Sequence, residues 1–215
     1  MQYPNADQCR QRLAELDLTV ELVARALGLA SADIRGCTDF DAPAMAGVMF
    51  WSRANRYLAE DLVGEGWART SRDSILRVIH PTRSHAITAI SADGGVGDLK
   101  SEVRSKNPKG AAMARLVEKN GQLPLLTPDE VMYGRELDEI PTWCLLYKRG
   151  KEALLAELSL PVKMNGKFIN QWNERIPIFL PDDFTDPGTD VSLLDDPLDV
   201  TDPDVGVEWK DSAEG

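Results

Sequence analysis

Two hydrophobic periods divide this 215-residue chain, and the switch between them constrains its fold more than any other feature. From Ala6 to Leu29 the apolar residues Leu13, Leu16, Val20, Val23 and Leu27 recur three and four positions apart, the repeat that lines one face of a helix. The spacing predicts a helix there, whole or broken in two. Asp41 and Pro43 read as a cap and an early helical position for a second, largely buried helix, AMAGVMFWSRANRYLAEDLV, which Gly64 and Gly66 stop. Beyond it, Ser74–Ile79 (SILRVI) and His85–Ile90 (HAITAI) are short and rich in β-branched residues on either side of PTRS, the pattern of a hairpin. Helical spacing returns over Lys109–Asn120 with Met113, Leu116 and Val117 inward, and a short helix is expected at Pro128–Leu137. TWCLLYKRG and ALLAELSLP read as a second antiparallel pair around Arg149–Lys151, and RIPIFL as a last strand. The order predicts an α+β fold, with N-terminal helices packed on a small, mostly antiparallel sheet in a single domain over residues 1–180.

The formal net charge of −11 belongs to the remainder. Between Pro181 and Gly215 ten Asp and two Glu face one Lys, so residues 1–180 are neutral overall. Repeated Asp-Pro and Asp-Asp steps leave this acidic Asp/Pro-rich tail, 181–215, too little apolar surface for a core of its own. It is nonetheless no simple brush, because Leu193, Leu194, Leu198 and Trp209 stand among the acids as candidate anchors for a partner. No apolar run reaches the length of about 18 residues that a membrane span needs, and the N-terminus does not read as a leader. Cys9, Cys37 and Cys144 are odd in number and far apart, which fits a reducing compartment. A soluble cytoplasmic protein is expected.

The stretch ISADGGVGDLKSEVRSKNPKG, residues 90–110, places Gly94, Gly95 and Gly97 ahead of Lys100, Arg104, Lys106 and Lys109. Glycine lets backbone approach a ligand, and cations beside exposed amides suit phosphate. The order Lys109-Gly110-Ala111 excludes a nucleotide-binding P-loop, which needs Gly-Lys-Ser/Thr at the opening of a helix. Six basic against two acidic residues between Lys100 and Lys119 suit instead contact with a nucleic-acid backbone, without readout of sequence. A solvated turn is the plainer alternative.

Two further constellations compete. VELVARALGLASADIRGCTD, residues 20–39, has Ala24 where two helices pack, Gly28 at a turn, and apolar residues at the buried positions. It resembles the helix-turn-helix signature, which implies a DNA-binding regulator, although Asp33, Asp39 and Asp41 would repel phosphate. Asp93 and Glu157 are positioned at strand ends where the acids of metal-dependent nucleases of the restriction-enzyme-like class hold Mg²⁺, but Ser159 stands where that class has a Lys. His80 and His85 flank one turn without a matching cysteine pair for zinc or an evident nucleophile to serve, so no resident metal or cofactor is expected. Trp51, Trp143 and Trp172 read as packing.

The expected function is therefore a non-enzymatic binding or regulatory protein. It acts on a protein partner or a nucleic-acid complex, through the basic glycine-rich segment and the acidic tail, and not on a membrane. A metal-dependent nuclease using Asp93 and Glu157, and a helix-turn-helix regulator, are the alternatives.

Overall fold

The computed structural model describes residues 5–122, 137, 139–150 and 153–181. The short helix expected at Pro128–Leu137 and the acidic tail beyond Pro181 therefore lie outside the described residues, apart from Leu137.

The N-terminal periodicity becomes two helices, α1 (Ala6–Ala14) and α2 (Val20–Asp33). Asn5 caps α1 by accepting the Gln8 amide at 2.9 Å, and Thr19 caps α2 by accepting the Leu22 amide at 3.1 Å. Between them Asp17 takes a left-handed conformation, φ 51°, which short acidic side chains tolerate and most others do not. α2 runs unbroken through Gly28, so the turn that a helix-turn-helix places there is absent, and a single turn of 3₁₀ helix at Ile34–Gly36 follows. The third helix, α3 (Met45–Gly64), begins later than its expected cap, because the Asp41 carboxylate turns back to accept the Thr38 amide at 2.8 Å.

Among the described residues seven strands follow: β1 (Ala68–Thr70), β2 (Arg77–Ile79), β3 (Ala86–Gly94), β4 (Val103–Ser105), β5 (Thr142–Arg149), β6 (Leu154–Asn165) and β7 (Phe168–Ile178), with α4 (Ala111–Gln122) between β4 and β5. The order across the sheet is β1-β2-β3-β5-β6-β7, and β4 pairs with the far end of β3. All pairs are antiparallel except β3 with β5, whose crossover carries α4 and so can return the chain in the same direction. The protein thus combines helices with a mixed, mostly antiparallel sheet, larger than the small one expected. The hairpin of β2 and β3 starts at Arg77, not Ser74, because Asp73 and Ser74 have φ 54° and 58° and cannot extend a strand.

Alternation sorts the core into two faces. Ile87, Ala89, Leu145, Tyr147, Leu158 and Ile176 pack against α1, α2 and α3 through residues such as Leu13, Leu27, Phe50 and Leu58. Ile90, Ala92, Cys144, Leu146 and Ile169 pack on the other face against Met113, Leu116 and Val117 of α4. The central strand β5 is buried on both faces, which accounts for its continuous apolar run TWCLLY. Arg12 of α1 reaches Glu174 of β7 at 2.8 Å, pinning the first helix to the last strand. Among the described residues no helix is long and apolar enough to cross a membrane.

Candidate binding groove

The three glycines between β3 and β4 form a tight loop. Gly94 and Gly97 have φ of 89° and 82°, and a Cβ on Gly94 would overlap the carbonyl oxygen of Glu102, as one on Gly95 would overlap the Ser101 side chain. The loop is held from beneath by Arg175 of β7. Its guanidinium donates to the carbonyls of Ser101 at 2.8 Å, Gly95 at 3.0 Å and Asp98 at 3.2 Å, and to the Glu157 carboxylate at 2.7 and 2.8 Å. Glu157, fully buried, also accepts the Gly97 amide at 2.7 Å and the Ser159 hydroxyl at 2.7 Å. The glycine amide that sequence assigned to phosphate thus already binds a carboxylate of the protein.

This arrangement corrects the pairing of Asp93 with Glu157. Register sets Ile90, Leu146 and Glu157 side by side, so β5 separates the two acids and Asp93 lies three residues further along β3. At about 4.8 Å per strand and 3.3 Å per residue their backbones are roughly 14 Å apart. Asp93 faces Arg104 instead, at 3.9 Å. Among the described residues no three His, Cys, Asp or Glu side chains are grouped as metal ligands would be.

Between β4 and the first half of β7 lies a groove of about 800 Å³. Gly94, Lys100 and Arg104 line one side, and Phe168, Asn170, Gln171 and Trp172 the other. Arg104 lies over the Phe168 ring at 5.3 Å from its centre, and the Trp172 indole donates to the Val103 carbonyl at 3.0 Å. Trp172 therefore packs on the α4-side core and also borders the groove, whereas Trp143 is wholly core and Trp51 stands exposed on α3. Ser101 and the Lys100 amide bond Asp98, holding its carboxyl below the usual carboxylate range.

Lys106 and Lys109 do not line the groove but follow β4 in the chain on the way to α4. The Lys109 amide donates to the Lys167 carbonyl at 2.7 Å, which sets the entrance of α4 beside the β6–β7 hairpin with Lys163 and Lys167. These two lysines and the Phe168 ring were missed in the sequence reading. The signal for them was Asn165-Gly166, a hairpin dipeptide whose glycine has φ 57°. The anchors Leu193, Leu194, Leu198 and Trp209 lie outside the described residues.

The remaining candidates serve the fold. His80 and His85 stack at 4.9 Å between ring centres, with Trp67 edge-on to both. His80 Nε2 meets Asp17 at 2.7 Å, and His85 Nε2 donates to the Leu16 carbonyl at 3.2 Å, so the pair ties the β2–β3 turn to the α1–α2 junction. In the region of the supposed recognition helix, Asp33 is bound by Arg53 at 3.0 Å and by the Tyr57 hydroxyl at 2.7 Å. Burial pushes the Cys144 thiol up to about 12, so it is inert. No family model, characterised protein or solved structure matches the chain.

Proposed function

We propose that this chain is a non-enzymatic binding protein that holds a nucleic acid, as a single strand, in the groove between β4 and β7. The observation that carries the reading is the meeting of cations and ring surface in one groove: Lys100 and Arg104, the latter over the Phe168 ring, with half-buried Phe168 and Trp172. Cations there attract phosphate regardless of sequence, and rings accept any base by stacking, at about 1–3 kcal/mol per base. Asp93 and Glu102 offset part of the charge within the groove, and the lysines at 106, 109, 163 and 167 add positive charge in the adjoining β4–α4 and β6–β7 segments. A protein partner is the second reading, favoured by Met45, Val48 and Trp51, which stand exposed three residues apart along the outer face of α3.

Binding of a labelled mixed-sequence single strand, followed by fluorescence anisotropy from about 50 to 200 mM salt, tests the first reading. Replacing Lys100, Arg104, Lys106 and Lys109 with Ala should flatten the salt dependence by up to about three in log–log slope, at near-unchanged stability. Wild-type protein that binds no strand at the lowest salt overturns it.

A further inference from the structure

We infer that the acidic segment 182–215 docks in the groove of its own chain, its carboxylates against the lysines in and beside the groove and its leucines and tryptophan against the half-buried rings of Phe168 and Trp172. The docking stands on the geometry below; its consequence, competition with nucleic acid, rests on the reading proposed above.

Charge complementarity is the first support. The segment from Pro181 onward carries the whole net charge of −11, whereas the body is neutral overall, with Lys100 and Arg104 lining the groove and Lys106, Lys109, Lys163 and Lys167 in the adjoining β4–α4 and β6–β7 segments. Arg175 is left out of this group because Glu157 holds it beneath the loop at 2.7 Å, and Arg104 faces Asp93 at 3.9 Å. Attraction between such faces falls off within about 10 Å at 0.1 M salt, so it acts where the segment can lie directly on the lysines.

Reach is the second. β7 starts at the groove with Phe168 and ends at Ile178, and the described chain stops at Pro181. The way back along β7 is about 33 Å at 3.3 Å per residue. Residues 182–192, if extended, span roughly 36–40 Å, which brings Leu193 and Leu194 to the Trp172 part of the groove, with Leu198 able to reach its Phe168 end. The remaining stretch alternates apolar residues, Leu198 to Trp209, with acids, the composition that a groove of rings and cations accepts. Tethering supplies an effective concentration of roughly millimolar, so a weak site fills.

The exposed apolar surface around the start of α3 fits this occupant worse. Phe40, Met45, Val48 and Trp51 adjoin Asp39 and Asp41, and the α3 arginines Arg53 and Arg56 are engaged by Asp33 at 3.0 Å and Glu60 at 2.7 Å.

Zero-length carbodiimide cross-linking of the full chain at low salt, read by mass spectrometry of the monomer, tests the docking. The expected result is amide links from acids of 182–215 to Lys100, Lys106, Lys109, Lys163 or Lys167. In a full-length variant with Leu193, Leu194, Leu198 and Trp209 all changed to Ser, their yield should fall roughly fivefold and the affinity for a labelled single strand should rise by a similar factor. Links confined to Lys119, Lys151 or the N-terminal amine, links formed only between two molecules, or equal yields from the two proteins overturn the docking. Equal strand affinities overturn the competition. Groove links in a chain that binds no strand at all sink the nucleic-acid reading and leave the docking standing; strand binding with no groove links does the reverse.

Discussion

Glu157 does its work by accepting. Buried on β6, it takes donors from Arg175, Ser159 and the Gly97 amide, and removing its charge would strand the Arg175 guanidinium, 14% exposed, beneath the loop. Breaking one partner of such a pair typically costs 3–5 kcal/mol, because the survivor keeps its desolvation penalty. Glu157→Gln should therefore destabilise the chain by about 3 kcal/mol in urea unfolding and raise amide exchange across residues 94–102. A loss under about 1 kcal/mol would mean that the loop holds itself. The same engagement predicts that Mg²⁺ or Mn²⁺ will not support cleavage of DNA or RNA; cleavage abolished by Asp93→Asn would restore the nuclease reading. His85 is the residue that couples folding to pH. Burial first, then the neighbouring His80, lowers its pKa to about 4 from an ordinary 6.5. The unfolded chain thus takes up the proton first as pH falls. The stability this contributes is complete above about 6.5, declines below it, and is gone below about 4, a difference of about 3 kcal/mol. Urea unfolding at pH 7 and pH 4 should show a smaller acid loss in His85→Gln than in wild type, and equal losses would remove His85 as the cause.

At the scale of elements, one side chain bridges a gap in the sheet. β2 pairs with β3 only to Ile87, and β4 begins pairing at Ala92, which leaves the Ala89 amide and carbonyl facing neither strand. Asn55 of α3 fills the gap: its Oδ1 accepts the Ala89 amide and its Nδ2 donates to the Ala89 carbonyl, both at 2.9 Å. Asn55→Ala would leave two buried backbone groups unpaired, so a loss of about 2–4 kcal/mol is expected by urea unfolding, with exchange fastest at Ala89. A neutral substitution would show that water replaces the amide. No sequence pattern announces such a bridge, since an Asn within a helix reads as a mild propensity penalty. Elements with one clear period were legible: α1 and α2 from their leucines and valines, β5 from an apolar run whose length matches a doubly buried strand. The first half of β7 was not, because FINQWNE sets Phe168 and Trp172 among Asn, Gln and Glu and offers little hydrophobic contrast. That half carries Phe168 and Trp172, so the cationic side of the groove could be read from residues 100–109 and its aromatic side could not. Asp17 and the Asp73–Ser74 pair escaped for another reason: left-handed φ at a non-glycine is decided by tertiary packing.

For the whole molecule, the separation of charge decides how the parts depend on one another. The described core closes within the body, with Ile178 buried among the helix-side residues and Leu180 packed against them, before the first of the tail acids. Folding of the body is therefore expected to need none of the burial that residues 182–215 can add. Docking of that segment contributes only a linkage term, set by the ratio of its effective concentration to its dissociation constant. With a millimolar effective concentration and a dissociation constant near 0.1 mM, that term is about 1.4 kcal/mol. It rests on carboxylate–lysine attraction, so it shrinks as the screening length falls to about 3 Å in 1 M salt. A chain ending at Pro181 is accordingly expected to unfold cooperatively, to lose no more than about 1.5 kcal/mol against the full chain at low salt, and to match it in 1 M salt. Urea unfolding of both proteins at the two salt concentrations measures this. A deficit that persists unchanged in high salt would place the tail in the apolar core, and a truncated chain that fails to fold would make residues 182–215 part of the domain whose boundary the acidic composition marks.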